Sequence, residues 1–417
     1  GARREAASRA MQPLRRLAPL VRGAASGPAG GRPATAQRRH STAVAAVFHG
    51  VGVGHELREV QLPSRLREGE LLVRLECATI CGSDLHTIAG KRQEPVPLVL
   101  GHEGVGYIER MGSDIFSGSP PRKQGWKLRE GDRVTFSVAD SCGVCPECTL
   151  HKLPQKCVGL MKYGHSRMDD GTGLNGTYAT HILLRRGTHV VQLPGGLPSR
   201  VASPANCALA TVVNSLDMAR LPRFGSNNSA VVQGAGLLGI YAVAWLKKQV
   251  GMDHVFCLDV SQERLQTAAQ FGAIPMLVDS PDEDAALERA KQIRAWCPSG
   301  VDVVVEMTGA RSVLTEGVDL LRNGGHYAFC GMVHPDSQLS TLTGETIVRK
   351  CLTIRGVHNY TPWNLSEAVG FLDRHKGSLP FESVLAPSSH PLSKIDDAVA
   401  EAQKGRYCRV AVDCASV

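Results

Sequence analysis

The rhythm of apolar positions changes twice along the chain. From about residue 44 to 200, short apolar runs such as Leu71-Leu72-Val73-Arg74-Leu75 and Asp132-Arg133-Val134-Thr135-Phe136 are broken by glycine and proline, with no long helical period. This half is predicted to be mostly β. From about 203 the pattern becomes strand, helix, strand: Ser229 to Gln233, Leu237 to Gln249 and His254 to Asp259, then Val301 to Glu306 and His326 to Cys330. Such alternation predicts an α/β fold with a parallel, doubly wound sheet. After about 355 short strands return around one helix, Leu365 to His375, and end in Arg409-Val410-Ala411-Val412. The β-rich domain is therefore expected to be discontinuous. Gly118-Ser119-Pro120-Pro121-Arg122-Lys123-Gln124-Gly125 reads as a surface loop, and no internal repeat is present.

A chain of 417 residues suits two domains, each with its own core. The formal charge of +8 is concentrated at one end. Residues 1–42 carry nine arginines (Arg3, Arg4, Arg9, Arg15, Arg16, Arg22, Arg32, Arg38, Arg39), no lysine and one acid, Glu5, which leaves 38 basic against 38 acidic residues in the body. A neutral body gives no reason to expect a nucleic-acid partner. From Met11, a candidate start, to Glu56 there is no acid, and the stretch is rich in Arg, Ala and Ser, the composition of an organellar presequence. Residues 1–42 are expected to direct the protein to the mitochondrial matrix and be removed, with Arg39 placed for cleavage after His40. No apolar run approaches the ~20 residues of a membrane span, and no membrane partner is expected.

Thirteen cysteines in a long chain with an expected reducing address point to metal rather than disulfides. Cys142-x2-Cys145-x2-Cys148-x8-Cys157 offers four thiolates in one short segment. A tetrahedral site of four cysteines has no open position, so it is expected to be structural. Cys77, Cys257, Cys297, Cys330, Cys351, Cys408 and Cys414 lie among apolar neighbours and read as small core residues.

Gly234-Ala235-Gly236-Leu237-Leu238-Gly239 follows the apolar strand Ala230-Val231-Val232 and opens a helix, the context that gives a GxGxxG run its meaning. The glycines allow a tight turn and close backbone approach, so a pyrophosphate can sit on the free amides of the helix N-terminus. Asp259, 20 residues past Gly239, can accept from the adenosine ribose hydroxyls and repels a 2′-phosphate, favouring NAD over NADP. Arg264 and Thr308, the latter in the turn after Val301 to Glu306, complete the expected cofactor-binding set.

Cys81 in Cys81-Gly82-Ser83-Asp84-Leu85-His86, His102 in Gly101-His102-Glu103, and Cys207 form a dispersed set whose convergence spacing cannot show. With the four-cysteine lobe and GAGLLG with its downstream acid, in this order, these pieces resemble the zinc-containing medium-chain dehydrogenase/reductase superfamily from about residue 44 to the end. The resemblance implies a GroES-like catalytic domain at 44–205 with the lobe at 142–157, a Rossmann NAD-binding domain at 206–355, and a return to the catalytic domain at 356–417. It implies a catalytic zinc on Cys81, His102 and Cys207, a structural zinc on the lobe, and NAD-linked oxidation of a small-molecule alcohol. In that chemistry zinc acts as a Lewis acid on the alcohol oxygen. Ser83 and His86 match the family's proton relay, and Asp84 and Glu103 its carboxylates behind the ligands. Two departures or refinements matter. The family's lobe has seven residues before its last cysteine and this one has eight. The chain looks closer to polyol- and threonine-type members, and Leu153-Pro154-Gln155-Lys156-Cys157, Lys162-Tyr163-Gly164-His165 and Pro204-Ala205-Asn206-Cys207 are similar to a subgroup associated with phosphonate breakdown. A homodimer or homotetramer is implied. The rival readings are a zinc-independent quinone or enoyl reductase of the same fold, which would lack these ligands, and a dinucleotide-binding protein without turnover.

Overall fold

Six parallel strands stack in the order Ile274–Leu277, His254–Asp259, Ser229–Gln233, Val301–Glu306, Leu321–Phe329 and Thr353–Gly356. Ser229–Gln233 and Val301–Glu306 lie at the centre and are buried along their whole length, which is why they read as continuous apolar runs rather than alternating ones. The chain starts in the middle, winds outward to Ile274–Leu277, then crosses back to Val301–Glu306. This reversal leaves a crevice at the carboxyl ends of the two central strands, the place where open α/β sheets bind ligands. The helix read over Leu237 to Gln249 is α-helical through Leu237–Trp245 and widens to a π-turn over Leu246–Val250 before Gly251 reverses the chain at φ 79°. Apolar residues surround the α-helical part because eight of its nine residues are buried.

The computed structural model describes residues 41–113, 128–169, 171–217, 221, 227–280, 282–334 and 337–417. The presequence, up to residue 40, and the loop at 118–125 lie outside the described residues. Ser41 and Thr42, counted with the presequence, belong to the body: the first strand is Thr42–Phe48 and pairs along its length with His55–Gln61, so the boundary set at 44 moves back. Among the described residues no helix is long and apolar enough to cross a membrane.

A seven-stranded β-rich sheet follows the path Leu385–Pro391, Arg409–Asp413, Leu71–Thr79, Glu103–Met111, Arg133–Phe136 and Val190–Gln192, with His181–Leu184 also paired to Leu71–Thr79. Its strands come from both ends of the body. The last strand sits antiparallel to Leu71–Thr79, with Ala411 opposite Thr79, and Thr79 in turn opposite Glu103. This register places Arg409 at the start of the Cys81 segment. An apolar core joins the two sheets: Val105 and Val138 pack with Val201, Leu209 and Ile240, and with Leu365 and Phe371 of the helix Pro362–His375. Five of the seven scattered cysteines, Cys77, Cys257, Cys297, Cys330 and Cys414, are buried and Cys408 is half-buried; Cys351 departs from the reading, being exposed on a turn at φ 51° where Lys350 ends the helix Gly344–Arg349.

Candidate active site and lobe

Cys81 ends the turn after Leu71–Thr79 and serves as N-cap of the helix Gly82–Ile88. His102 stands just before Glu103–Met111, and Cys207 just before the helix Ala208–Ser215. The fold brings all three together: the ligand atoms of Cys81, His102, Glu103 and Cys207 lie within 4.8 Å of one another, with the two Sγ atoms 4.0 Å apart. His102 Nδ1 faces Asp84 Oδ1 at 3.4 Å, so the carboxylate fixes the ring and leaves Nε2 for a metal, the arrangement that orients metal-binding imidazoles. Among the described residues neither of these buried atoms has a hydrogen-bond partner of its own. The other oxygen of Asp84 accepts from Cys81 N at 2.9 Å and from the Tyr178 hydroxyl at 3.0 Å. Two thiols and an oriented imidazole in a buried pocket suit zinc.

Electrostatics in the site follow from burial and close pairs. Burial alone pulls His102 down, but Asp84 and the Cys81 thiolate outweigh it and raise its pKa to about 10. The Cys81 thiol is lowered by its hydrogen bond with Cys207, against burial, and by the charges of Arg409 and His102. Cys207 is correspondingly held protonated beside the Cys81 thiolate. Sequence reading missed Arg409, which lies on a strand over three hundred positions away. Its guanidinium grips Glu103 through Nη2 to Oε1 at 2.7 Å and Nε to Oε2 at 2.8 Å, and donates to Cys81 Sγ at 3.3 Å. Burial pushes Glu103 up, and Arg409 opposes it. Thr79 Oγ1 donates to the same carboxylate at 2.6 Å. Both carboxylate oxygens of Glu103 are thus engaged beside the thiols. Asn206 was also missed; its side-chain amide donates to His102 O at 2.9 Å and Phe136 O at 2.8 Å, fixing the approach of Cys207.

Ser83 is the second residue of its helix and half-buried, and His86, three positions on, is exposed. Neither side chain hydrogen bonds to the other.

A cavity of about 510 Å³ opens beside this cluster, lined by Gly82, Leu85, Gly236, Leu237, Arg264 and Arg409. Gly236 faces open space where a Cβ would stand, whereas a Cβ on Gly239 would meet Gly234 O at 1.7 Å. The first glycine therefore leaves room for a ligand on the helix N-terminus, and the second lets helix and strand pack. Leu237 and Leu238 form the first turn of that helix, and only Leu237 lines the cavity. Asp259 bridges two turns, accepting from Ala235 N at 2.6 Å and Ser261 N at 2.8 Å. Thr308 lies against Gly234, its Cγ2 2.9 Å from where a Cβ would be. Glu306, missed as a functional residue, gathers the turn: it accepts from Thr308 N at 2.6 Å and from Gly331 N at 2.9 Å.

In the lobe, Cys142, Cys145, Cys148 and Cys157 also bring their Sγ atoms within 4.8 Å. Amides support them, Cys142 N donating to Cys157 Sγ at 3.2 Å and Cys145 N to Cys142 Sγ at 3.3 Å. The eight-residue spacing closes through Lys152, which takes φ 57° and turns the chain back into the short 3₁₀ segment Pro154–Lys156.

The crevice, the glycine turn and two thiol clusters define a metal-dependent dehydrogenase of the α/β type. The chain matches the zinc-binding dehydrogenase domain over residues 238–374 and the alcohol dehydrogenase GroES-like domain over 67–195. A 5-exo-hydroxycamphor dehydrogenase of Pseudomonas putida is 31% identical over 271 residues, 63% of this chain and 70% of that one. An L-threonine 3-dehydrogenase of Deinococcus deserti is 28% identical over 296 residues, 69% and 76% of the two chains. Among solved structures, an alcohol dehydrogenase of Thermotoga maritima superposes with a TM-score of 0.79 at 26% identity, covering 89% of this chain and 99% of its own. The chain belongs to the zinc-containing medium-chain alcohol dehydrogenase family. It is an oxidoreductase acting on the CH–OH group of an alcohol, with zinc and a nicotinamide dinucleotide as its cofactors.

Proposed function

We propose that this enzyme uses NAD to oxidise a small polar alcohol, with Cys81, His102 and Cys207 as the catalytic zinc ligands. The observation that carries this reading is the convergence of those three side chains, from three separate segments, beside the cavity at the glycine turn. When bound, zinc supplies a Lewis acid that makes the alcohol proton easy to remove, and the nicotinamide ring accepts the hydride. The protein's own side chains do the rest. Asp84 sets the tautomer of His102, and Arg409 balances the charge of Glu103 next to the thiols. The half-buried Ser83 hydroxyl, on the helix that Cys81 caps, would accept the substrate proton as it gives up its own toward the exposed His86 imidazole, which would release one to water. Asp259, on the strand next to the glycine turn, selects NAD.

Three finer readings rest on sequence. The basic leader at 1–40 supports a mitochondrial matrix address, testable by imaging a fusion with and without those residues. The edge strand Thr353–Gly356 supports assembly into dimers or tetramers, measurable by light scattering. The segments shared with the phosphonate-associated subgroup place hydroxyalkylphosphonates among the substrates to try. The test follows NADH absorbance with zinc-loaded protein, NAD and primary alcohols, secondary alcohols, polyols, threonine and hydroxyalkylphosphonates. Turnover of one class, lost in Cys81→Ala while NAD binding persists, is the expected result. Silence across the whole panel from zinc-replete, NAD-binding protein would sink the proposal.

A further inference from the structure

Glu306 is a buried carboxylate that the chemistry at the metal cluster leaves unused. It ends the central strand Val301–Glu306, opposite Gln233 on one side and Phe329 on the other, and is 0% exposed. Four donors from two separate turns meet it. Oε1 accepts from Thr308 N at 2.6 Å, Thr308 Oγ1 at 3.0 Å and Gly309 N at 2.5 Å, and Oε2 accepts from Gly331 N at 2.9 Å. Among the described residues no cationic side chain pairs with it. Arg355, two strands along the sheet, donates to Asn214 Oδ1 at 3.3 Å instead. A carboxylate taken out of water is costly unless donors hold it, and backbone amides aimed at both oxygens do so here while leaving its charge in place.

The turns gathered by Glu306 lie where half of the cofactor belongs. Thr308 packs against Gly234, the first glycine of the cofactor turn. Gly331 is flanked by Cys330 and Met332, which with Phe329 and Val333 line a second cavity of about 480 Å³. In a sheet whose winding reverses at the glycine turn, the adenosine half of a dinucleotide lies over the strands on the Asp259 side, and the nicotinamide half over Val301–Glu306 and Leu321–Phe329. The oxidised nicotinamide ring carries a positive charge and the reduced ring carries none. Lys152, Lys156 and Arg355 also line this cavity and act in the opposite sense. Both lysines are exposed and Arg355 is half-buried, so solvent and salt weaken their fields more than that of the buried carboxylate.

We infer that Glu306 sets the redox preference of the cofactor site: its charge, fixed by the Thr308, Gly309 and Gly331 amides, favours the cationic ring of NAD over the neutral ring of NADH. The inference rests on the reading of this chain as a nicotinamide-linked dehydrogenase. Once the ring has accepted a hydride it loses its charge and this attraction with it, so the same carboxylate that helps NAD to bind gives no such help to the NADH that must leave.

The experiment uses full-length, zinc-loaded protein and measures the Kd of NAD by calorimetry and of NADH by its fluorescence, so no turnover is needed. Glu306→Gln keeps the size of the side chain and an acceptor for the Thr308 and Gly309 amides, and Gly331 N retains a bond to the backbone oxygen of residue 306 at 3.3 Å. Every other charge, Asp84 and the zinc cluster included, is the same in variant and parent. Expected is a loss of NAD affinity that exceeds any loss of NADH affinity on the order of tenfold, a bound-cofactor potential about 30 mV more positive. Glu306→Asp, which keeps the charge and shortens its reach, should preserve the ratio of the two constants even where both rise. Equal weakening of NAD and NADH in Glu306→Gln would reduce Glu306 to a tie between two turns and overturn the inference, leaving the dehydrogenase reading intact. A second measurement needs no variant: in the parent protein the NAD to NADH affinity ratio should hold or grow as salt rises, because salt screens Lys152 and Lys156 and not Glu306. A ratio that falls with salt would trace the preference to exposed charge and overturn the inference as well. Parent protein that binds neither form would overturn it together with the dehydrogenase reading.

Discussion

Arg409 and Glu103 form a two-pronged ion pair, with contacts of 2.7 and 2.8 Å, across 306 positions of sequence, and both are buried. The pair exists because the last strand docks against Leu71–Thr79 and so closes the β-rich sheet over the metal ligands. Removing one partner of a buried pair strands the other. Arg409→Met is expected to cost about 3–5 kcal/mol of stability, read by urea denaturation of zinc-loaded protein. The double variant Arg409→Met with Glu103→Gln should recover part of it, because no carboxylate is then left buried. Since burial already raises the Glu103 pKa, the deficit of the single variant should shrink as pH falls and the carboxyl takes a proton. A deficit below about 1 kcal/mol would show the pair to be incidental.

The lobe should hold its own metal. Lys152 gives the longer spacer the left-handed turn it needs, and four Sγ atoms converge. Purified protein is expected to contain two zinc ions per chain by elemental analysis, and Cys148→Ser one. That variant should melt several degrees lower while keeping zinc at Cys81, because a closed four-thiolate site contributes to folding rather than chemistry. A single zinc in the parent protein, unaltered by Cys148→Ser, would refute an occupied lobe.

Cofactor choice is predicted to turn on Asp259. Its carboxylate is held by Ala235 N and Ser261 N at the edge of the glycine turn, where a 2′-phosphate would meet a fixed negative charge. Asp259→Ser should raise the ratio of kcat/KM for NADP over NAD by about tenfold or more, some of it through weaker NAD use. An unchanged ratio would mean that other residues discriminate.

What could be read from sequence was what lies close in sequence. The glycine turn, its strand and helix, and the four-cysteine lobe each occupy a short segment, so periodicity and spacing expose them. Arg409 could not be read this way: it opens an ordinary edge-to-core strand, and only the register of Ala411 with Thr79 brings it to Cys81. Glu306 was hidden for the same reason, a single charged residue whose meaning depends on the turn amides that meet it. Cys351 misled because apolar neighbours in sequence, Leu352 and Val348, do not guarantee burial where a turn throws the side chain outward. The strand start at Thr42 was missed because the basic composition ahead of it set the boundary instead of the pairing with Gln61.

Zinc loading should release protons and depend steeply on pH. In the metal-free protein His102 is protonated up to about pH 10 through Asp84 and the Cys81 thiolate, and Cys207 is a thiol. A bound metal needs a neutral imidazole and two thiolates, so two protons leave this cluster between pH 7 and 9. Apparent affinity there is expected to rise about a hundredfold per pH unit, tenfold for each proton. Linkage also fixes how the apoprotein responds. A histidine raised from 6.5 to about 10 contributes stability that is fully present below pH 6.5 and is lost as pH rises through about 10. Urea denaturation at pH 7, 9 and 10.5 should therefore show apoprotein weakening toward alkali more than holoprotein, whose His102 is already neutral. His102→Gln apoprotein should lack that component. Parallel curves for apo and holo forms would mean that His102 does not carry the proton in the empty site, and that Asp84 is balanced by something other than the imidazole it faces.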